Sequence, residues 1–346
     1  ETGKERALVI GISPDDFQFH ETLELARSAG AVVAGTIRQK RGQLHPKTVV
    51  GRGKISEIVL ESMRRQAELA IFDENLKPAQ ARAFEDLTGM KAVDRTQLIL
   101  DIFAQRAASR DGKIMVELAQ LKYSLPRLSE KESGLSRHTG GIGTRGPGET
   151  NMEIGRRRIF DRIRKLEKEV SGISRQRSLR RVNRRRHSVP VVALVGYTNA
   201  GKTSFLNTVT RSEVRTEDQL FVTLDPTTRR VRFPGDREVL LTDTVGFIRD
   251  LPEDLVTAFK ATLEEAGEAD LLLHVADISD DLLEMKVDSV ERILSDLGMN
   301  EIPRILVLNK SDLLEPEEAA NLGKRYNGIP VSTFSKDGVA GLLELI

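Results

Sequence analysis

Gly196-Tyr-Thr-Asn-Ala-Gly-Lys-Thr203 has the spacing GxxxxGK[ST] and lies between an apolar run and a helix-like stretch, the context a phosphate-binding loop requires. Its glycines let backbone amides turn inward around phosphates. Lys202 supplies a point charge between β and γ oxygens, and the Thr203 hydroxyl is placed to ligate Mg²⁺. The expected nucleotide-facing set here is Gly196, Tyr197, Thr198, Asn199, Ala200, Gly201, Lys202, Thr203 and Ser204. Asp243-Thr-Val-Gly246 follows a later apolar run. There Asp243 can hold Mg²⁺ through water and the Gly246 amide can meet a γ-phosphate, with Thr244 and Val245 between them. Taken alone, an aspartate after a strand is most often a cap or turn residue.

Asn309-Lys-Ser-Asp312 follows another apolar run. A carboxylate at Asp312 can accept hydrogen bonds from guanine N1 and N2. Adenine lacks that donor pair and would leave the carboxylate desolvated and unpaired, so Asn309, Lys310 and Asp312 favour GTP over ATP. Ser332 and Thr333, after the next run, are placed to offer a backbone amide to the guanine oxygen.

Strands must position these pieces, and the pattern from Val189 onward is strand, glycine loop, helix, repeated. We expect strands at Val191 to Val195, Val231 to Phe233, Val239 to Thr242, Leu271 to Val275, Ile305 to Leu308 and Val331 to Thr333, with a hairpin turn at Pro234-Gly-Asp236. The order predicts a three-layer α/β domain with a mostly parallel sheet. The first third alternates apolar runs, beginning with Ala7-Leu-Val-Ile10, with helix-like segments, and reads as a smaller α/β unit. Between them Ile114, Leu118, Leu121 and Leu125 form one helical seam, and Ile159, Ile163, Leu166, Val170 and Ile173 another, which predicts an antiparallel helical hairpin. Its connecting loop, Ser129 to Thr150, is rich in glycine and holds Arg137, His138 and Arg145. The expected domains are 1–110, 111–188 and 189–346.

The chain of 346 residues has no cysteine, which excludes disulfides, thiolate metal sites and cysteine nucleophiles together. Its five histidines are too scattered for a metal cluster. No apolar run approaches the roughly 18 residues of a membrane helix. Net charge is +1, yet residues 190–346 carry 16 Lys and Arg against 28 Asp and Glu, or −12, leaving +13 for residues 1–189. Arg156 to His187 alone holds 14 basic against 3 acidic groups, or +11. Arg156, Arg157, Arg158, Arg180, Arg181, Arg184, Arg185 and Arg186, with Arg137 and Arg145 of the loop, are the candidate RNA contacts, because phosphate neutralisation dominates nucleic-acid affinity. The competing readings are a solvated coiled-coil face and a calmodulin-like or lipid-binding helix, although the segment lacks the bulky apolar face that inserts into membranes.

Tyr197-Thr-Asn-Ala-Gly201, Thr223-Leu-Asp-Pro-Thr-Thr-Arg229, Asp243-Thr-Val-Gly-Phe-Ile248, Leu135-Ser-Arg and Gly140-Gly-Ile-Gly-Thr-Arg-Gly-Pro-Gly-Glu-Thr150 together resemble the HflX family, within the translation-factor-like class of GTPases. The resemblance spans essentially the entire chain. It implies a cytoplasmic GTPase, monomeric and not inserted in the membrane, that binds GTP and GDP with Mg²⁺ and associates with ribosomes, with membrane association also open. It implies binding to the large ribosomal subunit and its rRNA, and dissociation of stalled or idle ribosomes. Phe221, Val222, Thr223, Leu224 and Asp225 then look like switch I, with Thr223 the γ-phosphate-dependent Mg²⁺ ligand and Thr227 and Thr228 as competitors for that role. Lys202, Thr223 and Gly246 become the catalytic set. Phe247 stands where many GTPases carry a water-orienting glutamine, so slow intrinsic hydrolysis is expected. Asn199 matches the residue with which potassium-activated GTPases hold K⁺.

Thr203-Ser204 replaces the family's commoner Ser-Thr order, Gly155 stands where an acidic residue is usual, and Ser332-Thr333 replaces Ser-Ala. The chain begins at Glu1 rather than methionine and stops within an apparent helix at Ile346, so we expect a piece of a longer protein. A rival reading is an RNA-binding remodelling factor whose N-terminal unit uses ATP while the G domain regulates. It rests on Val50-Gly-Arg-Gly-Lys54, a segment that also reads as a turn with a helix cap.

Overall fold

The computed structural model describes residues 5–39, 45–133, 151–185, 189–210, 220–221, 227–233, 237–249, 266–334 and 337–345. It divides into two compact units, one of Glu1–Gln105 with Ile114–Val170 and one of Arg106–Lys113 with Ser171–Ile346.

The first unit runs β1 (Arg6–Gly11), α1 (Asp16–Ser28), β2 (Val32–Arg38), α2 (Arg52–Arg65), β3 (Leu69–Phe72), α3 (Pro78–Thr88), β4 (Lys91–Val93) and α4 (Arg95–Arg106). The strands form a parallel sheet in the order β2-β1-β3-β4. Continuous apolar runs such as Ala7 to Ile10 suit this sheet, because helices cover both faces of a parallel sheet. Helix α1 starts where the Asp15 carboxylate accepts the Phe17 N–H at 2.9 Å. Helix α3 opens on Pro78 and stops at Gly89, whose φ of 71° only glycine adopts readily. Phe72 and Phe84 meet edge to face at 5.0 Å in the core.

Helices α5 (Arg110–Ser133) and α6 (Asn151–Arg185) follow. Leu118, Ile163 and Leu166 are buried between them, with Ile114, Leu121, Leu125, Ile159 and Val170 packed alongside, as the two seams require. Glu117 accepts two hydrogen bonds from Arg162, both at 2.6 Å. Helix α5 continues to Ser133, past the expected loop start at Ser129. The rest of that loop, with Arg137 and Arg145, lies outside the described residues.

Asp94, fully buried at the start of α4, ties α5 to the sheet edge. Its carboxylate accepts the Leu76 and Gln97 amides at 3.0 Å and is bonded by the Tyr123 hydroxyl and Arg127. Burial first, then the Asp94 charge, pushes the Tyr123 phenol far above its ordinary ionisation range.

The second unit contains β5 (Val191–Val195), α7 (Lys202–Thr210), β6 (Thr227–Phe233), β7 (Arg237–Asp243), β8 (Leu271–Asp277), α8 (Leu283–Asp296), β9 (Arg304–Asn309), α9 (Pro316–Tyr326), β10 (Ile329–Pro330) and α10 (Asp337–Leu343). The sheet order is β10-β9-β8-β5-β7-β6, parallel except for β6 against β7. β5 sits between β8 and β7, so the chain winds outward on either side of it and leaves a crevice at its carboxyl end, where ligands enter open α/β sheets. The turn at 234–236 lies outside the described residues. The expected strand at Val331 to Thr333 is instead a two-residue strand at Ile329–Pro330. Beyond it the Ser332 hydroxyl accepts the Phe334 N–H at 3.3 Å, which makes a turn in place of a ladder.

Candidate active site

The loop after β5 has the backbone its glycines allow. Gly196 has φ 152°, and a Cβ there would lie 2.1 Å from the Val275 carbonyl oxygen. Gly201 has φ 90°, and its Cβ would lie 2.2 Å from Asn309 Nδ2. Both need glycine for conformation and for space. Asn199 is exposed and left-handed, with φ 61°. Asn309 Nδ2 donates to the Ala200 carbonyl at 3.0 Å, so the residue at the end of β9 braces the loop.

Lys202 opens α7 and is buried. Its ammonium donates to the carbonyls of Gly196 at 3.1 Å and Tyr197 at 2.8 Å. Burial lowers its pKa to about 8, against the opposing pull of Asp243. Thr203 Oγ1 donates to Asp243 Oδ2 at 2.7 Å, so a hydroxyl and a fully buried carboxylate, 40 residues apart in sequence, stand together beside that cation. Thr244 Oγ1 donates to the Leu194 carbonyl at 2.6 Å and fixes the end of β7 to β5. Val245 is buried, and Gly246 lies so close to the loop that a Cβ would come within 2.9 Å of Thr198 and 3.2 Å of Lys202 Nζ.

At the far end, Lys310 is left-handed with φ 65°, and its ammonium pairs with Asp277 at 2.6 Å. Ser332 Oγ donates to Asp312 Oδ1 at 2.6 Å, and Thr208 of α7 donates to the Thr333 carbonyl at 2.8 Å. The structure thus brings the phosphate loop, Asp243 to Gly246, Asn309 to Asp312 and Ser332-Thr333 to one end of one sheet. Ser204 is half-buried in the first turn of α7.

Phe221 is buried and left-handed with φ 58°, while Val222, Thr223, Leu224 and Asp225 lie outside the described residues. Thr227 stands opposite Asp243 in the β6–β7 ladder, and the Thr228 hydroxyl contacts that of Thr242 at 3.0 Å. Arg156, Arg157 and Arg158 are exposed on α6. Arg180, Arg181, Arg184 and Arg185 continue that helix, but their side chains, like the whole of Arg186, lie outside the described set. In Val50-Gly-Arg-Gly-Lys54, Gly51 caps α2 at an ordinary φ of −70°, a Cβ on either glycine would meet nothing, and Lys54 pairs with Glu57 at 2.7 Å.

Three features had no local signal in the sequence: the Lys310–Asp277 pair, the hold of Tyr197 on Arg249, and Phe334, 90% exposed beside the Asp312 loop. Among the described residues no three His, Asp or Glu side chains gather as a metal cluster. The pair Thr203 and Asp243 offers two hard oxygens beside a phosphate loop, which fits a Mg²⁺ that takes its remaining ligands from phosphate and water. No described helix is long and apolar enough to cross a membrane.

Family models agree in register with this architecture. The model described as GTP-binding GTPase N-terminal matches residues 17–104, the GTP-binding GTPase Middle Region matches 106–184, and the 50S ribosome-binding GTPase matches 191–310. Among solved structures, a GTP-binding protein from Sulfolobus solfataricus in complex with GDP superposes with a TM-score of 0.53 at 26% identity, covering 99% of each chain. The SsGBP–GDP complex gives 0.55 at 26% identity, covering 98% of this chain and 96% of that one. The second unit is a P-loop GTPase domain. GTPase HflX of Caldanaerobacter subterraneus subsp. tengcongensis is 49% identical over 346 residues, 99% of this chain and 80% of that protein. GTPase HflX of Escherichia coli K12 is 46% identical over 304 residues, 88% of this chain and 71% of that protein. The chain belongs to the HflX family of GTPases.

Proposed function

We propose that this protein binds GTP and GDP at the crevice above β5, hydrolyses GTP slowly by itself, and engages the large ribosomal subunit to dissociate stalled or idle ribosomes. The observation that carries the nucleotide assignment is the single cluster formed by Lys202, Thr203 and Asp243 at one end of the crevice and Asp312, held by Ser332, at the other. Lys202 would meet the β and γ oxygens, and Asp312 the guanine N1 and N2 groups. Thr203, and Asp243 through water, would hold Mg²⁺, with Thr223 as a third candidate; the ion would supply charge neutralisation on the phosphates.

Phe247 is 1% exposed, and a phenyl ring cannot orient an attacking water by hydrogen bonding. The missing group is then supplied by the partner, which makes turnover partner-dependent. Asn199, at the exposed left-handed bend of the loop, is the candidate K⁺ contact, and faster turnover in KCl than in NaCl at matched ionic strength is the expected sign.

Support for the ribosomal partner comes from family membership, from the description of the matched G-domain model as a 50S ribosome-binding GTPase, and from the exposed Arg156 to Arg158. In this reading the domains are 1–110, 111–188 and 189–346. The arginines of α6, with Arg137 and Arg145, neutralise rRNA phosphates while the GTP state docks the G domain.

The test is GTP turnover, with ATP as control, alone and with purified large subunits at fixed salt, followed by light scattering of joined ribosomes. Stimulation confined to GTP and GTP-dependent loss of scattering are expected. Fast basal turnover that large subunits fail to raise would overturn the partner assignment.

A further inference from the structure

Tyr197, the second residue of the phosphate loop, grips the segment that follows Asp243. Its hydroxyl accepts the Arg249 N–H at 2.9 Å. Its backbone neighbours complete a parallel bridge to Phe247: the Phe247 N–H donates to the Gly196 carbonyl at 3.0 Å, and the Thr198 N–H donates to the Phe247 carbonyl at 2.8 Å. The ring is 4% exposed and has the Lys286 ammonium of α8 5.3 Å from its centroid, with Lys286 itself paired to Asp280. Tyr197 therefore stands on a braced platform while its hydroxyl reaches across to the segment Gly246 to Arg249.

The position of that segment matters for what the loop can hold. The Thr198 N–H, within the loop, is spent on the Phe247 carbonyl. The Gly246 backbone stands against Thr198 and Lys202. The Thr198 hydroxyl is buried with no hydrogen-bond partner among the described residues, as a group would be whose partner arrives with the ligand.

We propose that Tyr197 is a positioning residue that latches Gly246–Arg249 over the γ-phosphate end of the loop, so that a nucleoside triphosphate must open the latch and a diphosphate need not. The inference rests on the nucleotide reading of this site. A closed latch lowers the apparent triphosphate affinity by the fraction of molecules in which it is open. One net hydrogen bond changes such a fraction by about fivefold.

Two measurements test it. In nucleotide-free protein, hydrogen exchange at the Arg249 amide should be about fivefold faster in Tyr197→Phe than in the wild type, and in the wild type a non-hydrolysable GTP analogue should release that protection while GDP preserves it. In equilibrium titrations with fluorescent nucleotides, Tyr197→Phe should lower the ratio of the analogue's Kd to the GDP Kd about fivefold. A merely structural tyrosine would weaken both nucleotides equally. That result, or Arg249 exchange indifferent to the hydroxyl, overturns the latch. A wild type that binds neither nucleotide, or a Lys202→Ala variant that binds both normally, overturns the site reading instead, and the exchange measurement still reports on the latch.

Discussion

Ser332 holds Asp312 by a 2.6 Å hydrogen bond to Oδ1, which sets the carboxylate from a loop 20 residues away. The same hydroxyl accepts the Phe334 N–H, so one side chain fixes both the Asp312 carboxylate and the turn that follows Ser332. Thr208 secures the neighbouring Thr333 carbonyl to α7, the helix that carries Lys202 and Thr203.

Ser332→Ala should therefore weaken GDP and GTP binding about fivefold, the net worth of one typical intramolecular hydrogen bond. The loss should fall on guanine nucleotides and spare whatever weak ATP binding the phosphate loop supports. Fluorescent-nucleotide titrations on wild type and variant measure it, and equal losses for GTP and ATP would show that Ser332 acts on the loop as a whole.

Lys202 gives the site a pH dependence of fixed sign. Burial holds its free pKa to about 8, and a bound phosphate favours the ammonium, so nucleotide binding takes up a proton once the free lysine has begun to lose its own. Affinity for GDP should be flat below pH 7 and fall about sevenfold by pH 8.8. Isothermal titration in buffers of different ionisation enthalpy should show proton uptake growing across that interval, and Lys202→Ala should lose both binding and the pH effect.

Much of this site was legible because phosphate and purine chemistry fixes residue types at fixed spacings: Gly196 to Thr203 and Asn309 to Asp312 can be read without a neighbour. Tyr197 and Arg249, Lys310 and Asp277, or Asp94 with Tyr123 and Arg127, join distant positions and leave no periodic trace. β4 was missed for another reason: a three-residue edge strand, Lys91–Val93, is shorter than any apolar pattern that signals a strand. The long helices and the five main strands of the G domain declare themselves through apolar period and length, while at Val331–Thr333 only Val331 keeps backbone bonds to the β9 side, and the Thr333 carbonyl goes to the Thr208 side chain.

Asp73 offers a separate test of the first unit. At the end of β3, fully buried, it accepts the amides of Ile12 at 2.8 Å and Ser13 at 3.2 Å, yet burial outweighs those bonds and raises its pKa to about 6. The folded protein therefore binds a proton that the unfolded chain, titrating near 3.8, has lost. That contribution is complete below about pH 4 and disappears as pH rises through 6, for a total of about 2 to 3 kcal/mol. Chemical denaturation of the wild type and Asp73→Asn at pH 4.5 and 7.5 should show the variant gaining relative stability at the higher pH. A difference independent of pH would show that Asp73 does not titrate in this range.

The exposed Arg156, Arg157 and Arg158 should act as phosphate contacts rather than specific readers. Replacing all three by alanine should weaken large-subunit binding at physiological salt and reduce the slope of log affinity against log salt by about two. Nucleotide affinity should be unchanged. A variant with the wild-type salt slope would remove this stretch of α6 from the rRNA interface.

Phe334 is the last prediction and concerns the base. Its ring is 90% exposed, an unfavourable place for a phenyl group in water, while its amide is held by the hydroxyl that also holds Asp312. If Asp312 reads the purine edge as proposed, the base would lie near this turn, and the ring would gain an apolar face by stacking on it. Aromatic stacking on a base contributes about 1 to 3 kcal/mol. Phe334→Ala should raise the Kd for GDP and for GTP by the same factor, about tenfold, and Phe334→Trp should retain or strengthen binding. Equal losses for the two nucleotides separate this contact from the Tyr197 latch, whose removal changes the ratio of the two affinities. Unchanged affinity in Phe334→Ala would place the ring away from the base and return it to the exposed surface.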